Sequence, residues 1–232
     1  MKNKNILIIG ASSGIGYCIA QMALEKGANV ISASRNEPDL SGIKHHNIDI
    51  TAPDVDLTFI PEVLDGLIYA PGTINLKPFH RLKPEEFVND LEVNVLGAIK
   101  VLQASFKALK NADSSSVILF STVAAKLGMN FHSSIATSKG AIEGLGKSLA
   151  AEWSMHKIRV NILSPSLTET PLAERLLAND DKKEASNKRH PLGRFGQPED
   201  LAHMAMLLLS DEASWITGQI IGIDGGVGSL KL

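Results

Sequence analysis

The 232-residue sequence contains one cysteine, Cys18, and lacks long apolar runs. A single cysteine excludes an intramolecular disulfide and fits a reducing compartment. Because Cys18 lies among apolar residues just after a glycine-rich turn, we expect a small buried side chain rather than a reactive thiol. The apolar run near the start, "ILIIG", is too short for a secretory signal or a membrane span, and no other stretch approaches that length. We therefore predict a soluble, cytoplasmic protein.

Neither sign of charge is in excess, since 23 basic residues face 25 acidic ones. This balance gives no reason to expect a nucleic-acid or membrane-surface partner. The sequence also lacks internal repeats, low-complexity segments and a recognisable set of metal ligands. A chain of this length can bury one substantial core, so residues 1–232 are predicted to form a single domain.

Short runs rich in Ile, Val and Leu alternate with longer amphipathic segments. The predicted strands are Asn5–Ile9, Asn29–Ala33, His46–Ile50, Gly66–Ala70, Ser116–Ser121, Arg159–Leu163 and Gln219–Ile223. The predicted helices are Gly14–Lys26, Pro84–Asp90 continuing through Leu91–Lys110, Ser134–Trp153, Leu172–Lys188 and Pro198–Leu209. Uniformly apolar strands separated by helices indicate a parallel sheet covered on both faces. The predicted fold class is thus α/β, a single-domain Rossmann-like, doubly wound parallel sheet of about seven strands flanked by helices, with ligands at the carboxyl ends of the strands.

Two connections depart from this regular pattern. Only "TAPDVDLTFIPEVLD" separates the third and fourth strands, and its two prolines favour a short or irregular link over a full helix. The polar segment 172–194 lies where a lid over the site could form. A solvated surface helix explains that segment equally well.

The stretch "ILIIGASSGIG" joins the first strand to the first helix through Gly10, Gly14 and Gly16. Glycines permit a tight turn and let the backbone approach a pyrophosphate, while the helix N-terminus offers unpaired N–H groups. Ser12 and Ser13 add hydroxyl donors. We therefore predict nucleotide binding at this turn.

The glycine spacing of this turn, G-x-x-x-G-x-G, resembles that of the short-chain dehydrogenase/reductase family. "IRVNILSPSLTET" and "HPLGRFGQPEDLAHMAMLLLSDEASWITG" resemble stretches of its 3-oxoacyl-carrier-protein reductases and related carbonyl reductases, and the likeness covers nearly the whole chain. The resemblance implies a Rossmann-like oxidoreductase that acts on a carbonyl or alcohol small-molecule substrate. It also implies a homodimer or homotetramer, assembled through the two long central helices and the last strand.

Cofactor preference in this family depends on the end of the second strand. An acidic residue there would bind the ribose 2′-hydroxyl, but this chain has Ser34 followed by Arg35, which favours the 2′-phosphate of NADP(H). By the same resemblance, Asp49 and Ile50 flank the adenine and Thr170 holds the nicotinamide carboxamide. The cofactor-binding residues that we assign are Gly10, Ser12, Ser13, Gly14, Ile15, Gly16, Arg35, Asp49, Ile50, Ala70, Gly72, Lys139 and Thr170.

The chain departs from the family pattern at three places outside the catalytic set. Ile9 replaces a threonine, "YAPG" (69–72) replaces Asn-Asn-Ala-Gly, and Pro165–Ser166 replaces proline–glycine. The first two departures lie at the ends of strands that should be neighbours. We expect apolar packing there in place of a polar contact.

The resemblance also assigns the catalytic residues. Lys139 matches the lysine that binds the nicotinamide ribose, Asn94 matches the asparagine that holds a relay water, and Thr122 takes the place of the serine that orients the carbonyl, with Ser121 as a second candidate. The family's tyrosine, four residues before the lysine, is Ile135. An aliphatic side chain cannot donate a proton, and loss of a general acid typically costs about a hundred- to ten-thousand-fold in rate.

Another group would have to replace the tyrosine. His132 lies seven residues before Lys139, the spacing of the tyrosine in related enoyl reductases, and imidazole titrates near neutral pH. An ordinary loop histidine is the simpler reading of His132. Ser133 or Ser134 is predicted to cap the helix, and Tyr69 is a weak candidate because the direction of its side chain is not fixed by the sequence.

Three functions therefore stay open. They are an NADP(H)-dependent oxidoreductase with a non-standard proton path, an NADP(H)-binding pseudoenzyme or partner subunit of an active homologue, and a non-redox enzyme. Retention of Lys139, Asn94, Arg35 and Thr170 favours the first two. The substrate is not specified by the sequence, although "AAKLGMNFH" offers Met129 and Phe131 as apolar walls.

Overall fold

Seven parallel strands form one sheet in the computed structural model, which describes residues 1–231. The strands are β1 (Asn5–Ile9), β2 (Asn29–Ser34), β3 (Lys44–Asn47), β4 (Gly66–Tyr69), β5 (Ser115–Phe120), β6 (Ile158–Pro165) and β7 (Ile220–Ile223). Their order in the sheet is β3-β2-β1-β4-β5-β6-β7, and every neighbouring pair is parallel. The winding direction reverses between β1 and β4, so the crevice for a ligand lies beyond the carboxyl ends of these strands.

Helices cover both faces of the sheet. They are α1 (Gly14–Glu25), α2 (Pro84–Leu91), α3 (Gly97–Asn111), α4 (Ser133–Trp153), α5 (Asp180–Arg189) and α6 (Pro198–Leu209). Apolar side chains of α1 and α6 pack on one face, and those of α3 and α4 pack on the other. A π-helical turn, Glu92–Leu96, joins α2 to α3.

The strand residues explain why the sequence shows no polar alternation. In β1, Ile6 and Ile8 belong to the core under α1 and α6, while Leu7 and Ile9 belong to the core under α3 and α4. All four side chains are at most 1% exposed. Burial on both faces demands apolar residues at every position, as expected for a parallel sheet.

The predicted fold class is confirmed, and most of the predicted elements agree with the structure to within two residues. The third strand is the exception, because β3 covers Lys44–Asn47 rather than His46–Ile50. Pairing with β2 ends at Ser34 and Asn47, and Ile48 and Ile50 are buried beyond the strand. The apolar pattern there reflects packing of an irregular link, which, as predicted, contains neither helix nor strand up to β4.

Two predicted helices are interrupted. The π-helical turn breaks the predicted continuous helix 84–110. The predicted helix Leu172–Lys188 is instead a 3-10 turn, Pro171–Leu176, followed by α5. The side-chain oxygen of Asn179 accepts a hydrogen bond from the Lys182 amide and so starts a new helix, which the apolar pattern alone did not reveal.

No helix in residues 1–231 has both the length and the apolar character needed to cross a membrane. Trp215, shortly before β7, is 99% exposed, whereas Trp153 at the end of α4 is 5% exposed and packs against Phe106. Cys18 is buried as expected, which raises the pKa of its thiol to about 11.

Candidate active site

The glycine turn has the geometry of an anion cradle. Gly10 and Gly14 have φ angles of 84° and 57°, and a Cβ atom on Gly16 would collide with the carbonyl oxygen of Gly10. Ser13 caps α1 without a side-chain hydrogen bond to the helix, so the hydroxyl and the first amides of α1 are left for a ligand. These features fit the pyrophosphate of a dinucleotide.

A cleft of about 550 Å³ extends from this turn over the carboxyl ends of β1, β2 and β4. Twelve of the thirteen residues assigned to cofactor binding line it, Lys139 being the exception: Gly10, Ser12, Ser13, Gly14, Ile15, Gly16, Arg35, Asp49, Ile50, Ala70, Gly72 and Thr170. The sequence-predicted residues are thus brought to one continuous surface.

The far end of the cleft carries Arg35 and Asp49. Arg35 is exposed and forms no salt bridge within the described residues. The Asp49 carboxylate accepts hydrogen bonds from the amide and hydroxyl of Thr51, at 2.9 and 2.7 Å, and these bonds lower its pKa. Ser34 donates to the carbonyl oxygen of Asn36, so its hydroxyl is already engaged.

A second cavity of about 310 Å³ adjoins the cleft and shares Gly72, Thr73 and Thr170 with it. Its wall includes the remaining residues predicted to act in catalysis, apart from Asn94: Lys139, Thr122, Ser121 and His132. Ile135 lines this cavity one helical turn before Lys139. Residues that could act on a substrate therefore lie directly beside the residues that could hold a cofactor.

Lys139 and Asn94 meet at Gly72. A Cβ atom on Gly72 would lie 3.7 Å from Nζ of Lys139 and 3.6 Å from Oδ1 of Asn94, so a larger residue would fill the space between them. Burial lowers the pKa of Lys139 to about 8, and the charge of Asp90 opposes this shift. The ammonium form therefore still predominates at pH 7.

The π-helical turn explains how Asn94 reaches the site. Its Nδ2 donates to the Asp90 carbonyl oxygen at 2.8 Å and to the Thr73 hydroxyl at 3.0 Å. Its Oδ1 is buried and has no hydrogen-bond partner among the described residues. A buried acceptor without a protein partner is usually paired with a water or a ligand donor. The location of Asn94 in a π-helical turn agrees with this, because such turns are frequent at functional sites.

Asp90 was missed by the sequence reasoning. It is 1% exposed, and its carboxylate accepts hydrogen bonds from the hydroxyls of Thr73 at 2.6 Å and Ser134 at 2.5 Å. An acidic residue in a helix is usually solvated, so nothing in the sequence marked this one as buried. It supplies a negative charge next to Lys139 inside the fold.

The predicted helix cap is wrong. The residue at the N-cap of α4 is His132, and no side chain there bonds to the first turn. Ser134 instead donates to Asp90, while the buried hydroxyl of Ser133 has no partner among the described residues. The Ser134 side chain therefore points into the interior, where its hydroxyl binds the Asp90 carboxylate.

The two hydroxyl candidates after β5 differ in their freedom to bind a substrate. Ser121 donates to the carboxylate of Glu143 at 2.8 Å. Thr122 accepts a hydrogen bond from the Ala124 amide at 3.3 Å, which leaves its O–H without an acceptor among the described residues. Thr122 is consequently the better placed donor to a carbonyl oxygen.

The substitutes for tyrosine are placed differently. His132 is half-buried at the cavity wall, with Nδ1 at 2.7 Å from the Asn130 carbonyl oxygen. Tyr69 is buried, its hydroxyl donates to the Val93 carbonyl oxygen at 2.6 Å, and burial raises its pKa. Tyr69 lines neither cavity, and it pairs in the sheet with Ile9, as the predicted apolar packing requires.

The predicted apolar walls are half right. Met129 lines the second cavity, but Phe131 is 55% exposed and does not. Apolar contacts also come from the 3-10 turn before α5, through Leu172 and Leu176. Phe131, whose φ is 70°, lies at the end of an irregular loop just before α4.

A further polar pair in the cavity was not recognised from the sequence. The hydroxyl of Ser166 lies 2.9 Å from Nε2 of His190, and Nδ1 of His190 lies 2.7 Å from the Ser186 carbonyl oxygen. Both Ser166 and His190 line the cavity, and His190 is 5% exposed. In the sequence, Ser166 is distinctive only because it replaces a glycine of the family. Its contact with His190 spans 24 positions and therefore leaves no local sequence pattern.

The Rossmann-like sheet with its glycine turn and adjoining cavities defines the class of the protein, and comparison with known proteins gives the family. A family model described as enoyl-(acyl carrier protein) reductase matches residues 10–228. The 3-oxoacyl-[acyl-carrier-protein] reductase of Thermotoga maritima is 31% identical over 244 residues, covering 98% of this chain and 98% of the relative. The chain therefore belongs to the short-chain dehydrogenase/reductase family.

Solved structures show the same fold. Thermoplasma acidophilum aldohexose dehydrogenase, in ligand-free form, has a TM-score of 0.92 at 27% identity, covering 99% of this chain and 96% of the other. A gluconate 5-dehydrogenase from Burkholderia cenocepacia, in complex with NADP and tartrate, has a TM-score of 0.91 at 25% identity, covering 100% and 97%. These relatives differ in substrate, so their likeness fixes the fold and family but not the substrate.

Proposed function

We propose that the protein is an NADP(H)-dependent oxidoreductase that interconverts a carbonyl and an alcohol by a proton path without tyrosine. The observation that carries this proposal is the meeting of Lys139 Nζ and Asn94 Oδ1 at Gly72, where the substrate cavity joins the glycine-turn cleft. A buried ammonium and a buried amide oxygen without a partner are costly unless a ligand or water pairs with them, so this junction is suited to hold a cofactor and a substrate.

The roles of the residues follow from their chemistry. Bound NADPH supplies the hydride. The helix N-terminus at Gly14 and the amides of the glycine turn bind its pyrophosphate, and the ammonium of Lys139 binds the ribose. The hydroxyl of Thr122 donates to the substrate oxygen and orients the carbonyl. Asn94 Oδ1 accepts a hydrogen bond from a relay water.

NADP(H) is favoured over NAD(H) by the far end of the cleft. Arg35 is exposed there without a carboxylate partner, and Ser34 replaces the acidic residue that would bind a ribose diol. The similar gluconate 5-dehydrogenase with bound NADP supports the same choice.

The remaining assignments are coarser. Met129, Leu172 and Leu176 give the cavity apolar walls, which favours a small hydrophobic substrate. Segment 172–194 covers part of this cavity through Leu172, Leu176 and His190, and we propose that it acts as a substrate lid. The family resemblance favours a homodimer or homotetramer, and the single cysteine, Cys18, favours a cytoplasmic location.

The decisive experiment measures NADPH binding and NADPH oxidation with ketones, 3-oxoacyl thioesters and enoyl thioesters. We expect turnover by the wild-type protein with at least one carbonyl compound. Ile135→Tyr, measured alongside, shows how much rate a phenol at the family position adds to the existing path.

Catalytic impairment is the second candidate, because Ile135 itself lines the cavity at the position of the family tyrosine. The protein would then bind NADP(H) as a pseudoenzyme or as the partner subunit of an active homologue. Tight NADPH binding without wild-type turnover, combined with turnover in Ile135→Tyr, would establish this second function and refute the first.

A further inference from the structure

The cavity contains a buried histidine within hydrogen-bond distance of a serine hydroxyl. His190 is 5% exposed and lies at the end of α5, and Ser166 directly follows β6. The distance of 2.9 Å between Ser166 Oγ and His190 Nε2 is that of a hydrogen bond. A buried titratable group that faces a substrate cavity is a candidate for chemistry rather than for stability alone.

The second ring nitrogen fixes the tautomer. Nδ1 of His190 lies 2.7 Å from the Ser186 carbonyl oxygen, which can only accept, so Nδ1 carries the proton. In the neutral ring, Nε2 is then an acceptor for the Ser166 O–H. In the protonated ring, Nε2–H donates to Ser166 Oγ, and the serine proton is released for another acceptor.

We infer that Ser166 and His190 are the proton donor of this site, with Ser166 protonating the substrate oxygen and His190 reprotonating Ser166. The inference rests on the proposed oxidoreductase function. It supplies the one component that Ile135 cannot provide, and it gives a reason for a serine at a position where the family has glycine.

The step balances in atoms and charge. Hydride addition to the carbonyl carbon moves the C=O π electrons onto the substrate oxygen. The Ser166 O–H bond breaks as its proton bonds to that oxygen, and the His190 Nε2–H bond breaks as its proton bonds to Ser166 Oγ. The imidazole ends neutral, still donating from Nδ1 to Ser186, and is reprotonated from solvent. Alcohol oxidation runs the same transfers in reverse.

Charged groups around the pair are few. Arg189, the last residue of α5, donates to the Ser186 hydroxyl at 2.9 Å. Beyond β7, Asp224 turns its carboxylate to the amides of Gly226 and Gly228 and offers only its backbone oxygen to Ser166, at 3.3 Å. Lys139 and His132 face the pair across the cavity.

His132 is the competing donor. It lines the same cavity, but no hydroxyl of the described residues lies within hydrogen-bond distance of its ring, and its Nδ1 is held by the Asn130 carbonyl oxygen at a loop. The Ser166–His190 pair differs because its second nitrogen is anchored on a helix and its proton reaches the cavity through a defined hydroxyl. The geometry therefore favours His190.

The first test compares carbonyl reduction by His190→Gln and Ser166→Ala with wild type and with His203→Gln, a matched change of an exposed histidine on α6. We expect a hundred- to ten-thousand-fold lower kcat for the first two and wild-type rates for the control. The pH profile of kcat should also change in His190→Gln, whereas the contribution of Lys139, whose pKa burial lowers to about 8, should remain. A kcat within threefold of wild type with an unchanged pH profile overturns the inference, as does a major loss confined to His132→Ala.

The second test needs neither cofactor nor turnover. Nitrogen-15 NMR of the protein without ligand should show neutral His190 as the Nδ1–H tautomer, with an Nε2 resonance that shifts in Ser166→Ala. An Nε2–H tautomer, or no response to Ser166→Ala, contradicts the pair. Wild-type protein that binds NADPH but reduces no carbonyl would refute the oxidoreductase function instead, so the two failures are distinguishable.

Discussion

At the residue scale, the site depends on a lysine buried at the junction of two cavities. Burial of Lys139 favours loss of its proton, and the carboxylate of Asp90 opposes that loss. Asp90 is in turn held by the hydroxyls of Thr73 and Ser134. The charge of the lysine is therefore controlled by residues that need not touch a substrate.

Asp90→Asn tests this control. Removing the carboxylate removes the charge interaction that raises the pKa of Lys139, so the pKa should fall below about 8. The pH dependence of Lys139 acylation, or NMR of the dimethylated lysine, measures the midpoint. Ser134→Ala, which removes a hydrogen bond but no charge, is the control, and an equal fall in both variants would contradict the electrostatic explanation.

Arg35→Ala tests the preference for NADP(H). A guanidinium bound to a 2′-phosphate contributes a charge-assisted interaction, so its loss should weaken NADPH binding about tenfold or more. NADH binding should change little, because NADH has no phosphate at that position. Calorimetric titration with both nucleotides measures the two affinities, and equal losses for both would show that Arg35 does not read the phosphate.

Functional residues could be predicted from the sequence only where they belong to a short local pattern. Lys139 and Ile135 are one turn apart on a helix, and the glycines of the turn all lie within the short segment from Gly10 to Gly16, so both were found. Asp90 and His190 act through contacts 44 and 24 positions away, which only the fold creates. From the sequence alone, Asp90 and His190 could not be distinguished from solvent-exposed surface residues.

At the element scale, irregular turns place the functional groups. The π-helical turn 92–96 presents Asn94 to Gly72, and the break after the 3-10 turn 171–176 allows α5 to end with His190 facing Ser166. Periodicity predicted uninterrupted helices at both places. One extra residue in a π-helical turn hardly alters an apolar pattern, and neither does the short break of residues 177–179 between the 3-10 turn and α5. Strand positions were easier to predict, since burial on both faces requires apolar runs.

Asn179→Ala tests the break before α5. Loss of the hydrogen bond from the Lys182 amide to Asn179 Oδ1 should cost about 1 kcal/mol and fray the first turn of the helix. Amide hydrogen exchange of residues 180–186 should accelerate, and chemical denaturation should show the loss of stability. Asn179→Asp retains the cap and serves as the control. Unchanged exchange in Asn179→Ala would mean that packing of Ser186 and His190 alone holds the helix.

At the scale of the whole molecule, α4 presents an open face of small residues. A Cβ atom on Gly140 or Gly144 would meet nothing within 4 Å, and both glycines are exposed. The proposed homo-oligomer would pack this face closely against another helix.

The variant Gly144→Leu distinguishes effects on folding stability from effects on oligomer assembly. In a monomer the change should be neutral or stabilising, because leucine favours a helix by about 0.8 kcal/mol or more over glycine. In an oligomer packed through this face, the added side chain should lower the mass seen by light scattering toward 24.8 kDa. An unchanged oligomer mass in Gly144→Leu would place the interface elsewhere, and Lys147→Ala, one turn further along the same helix, provides a comparison without added bulk.

The two tryptophans give this molecule a built-in optical readout. Trp153 is buried beside Phe106, so its fluorescence reports loss of the packed interior, whereas Trp215, shortly before β7 in the chain, is exposed to solvent. A blue shift of Trp215 emission on concentration would signal that a second copy covers the surface around Trp215. Assembly and unfolding can therefore be followed by separate emission bands, without any label.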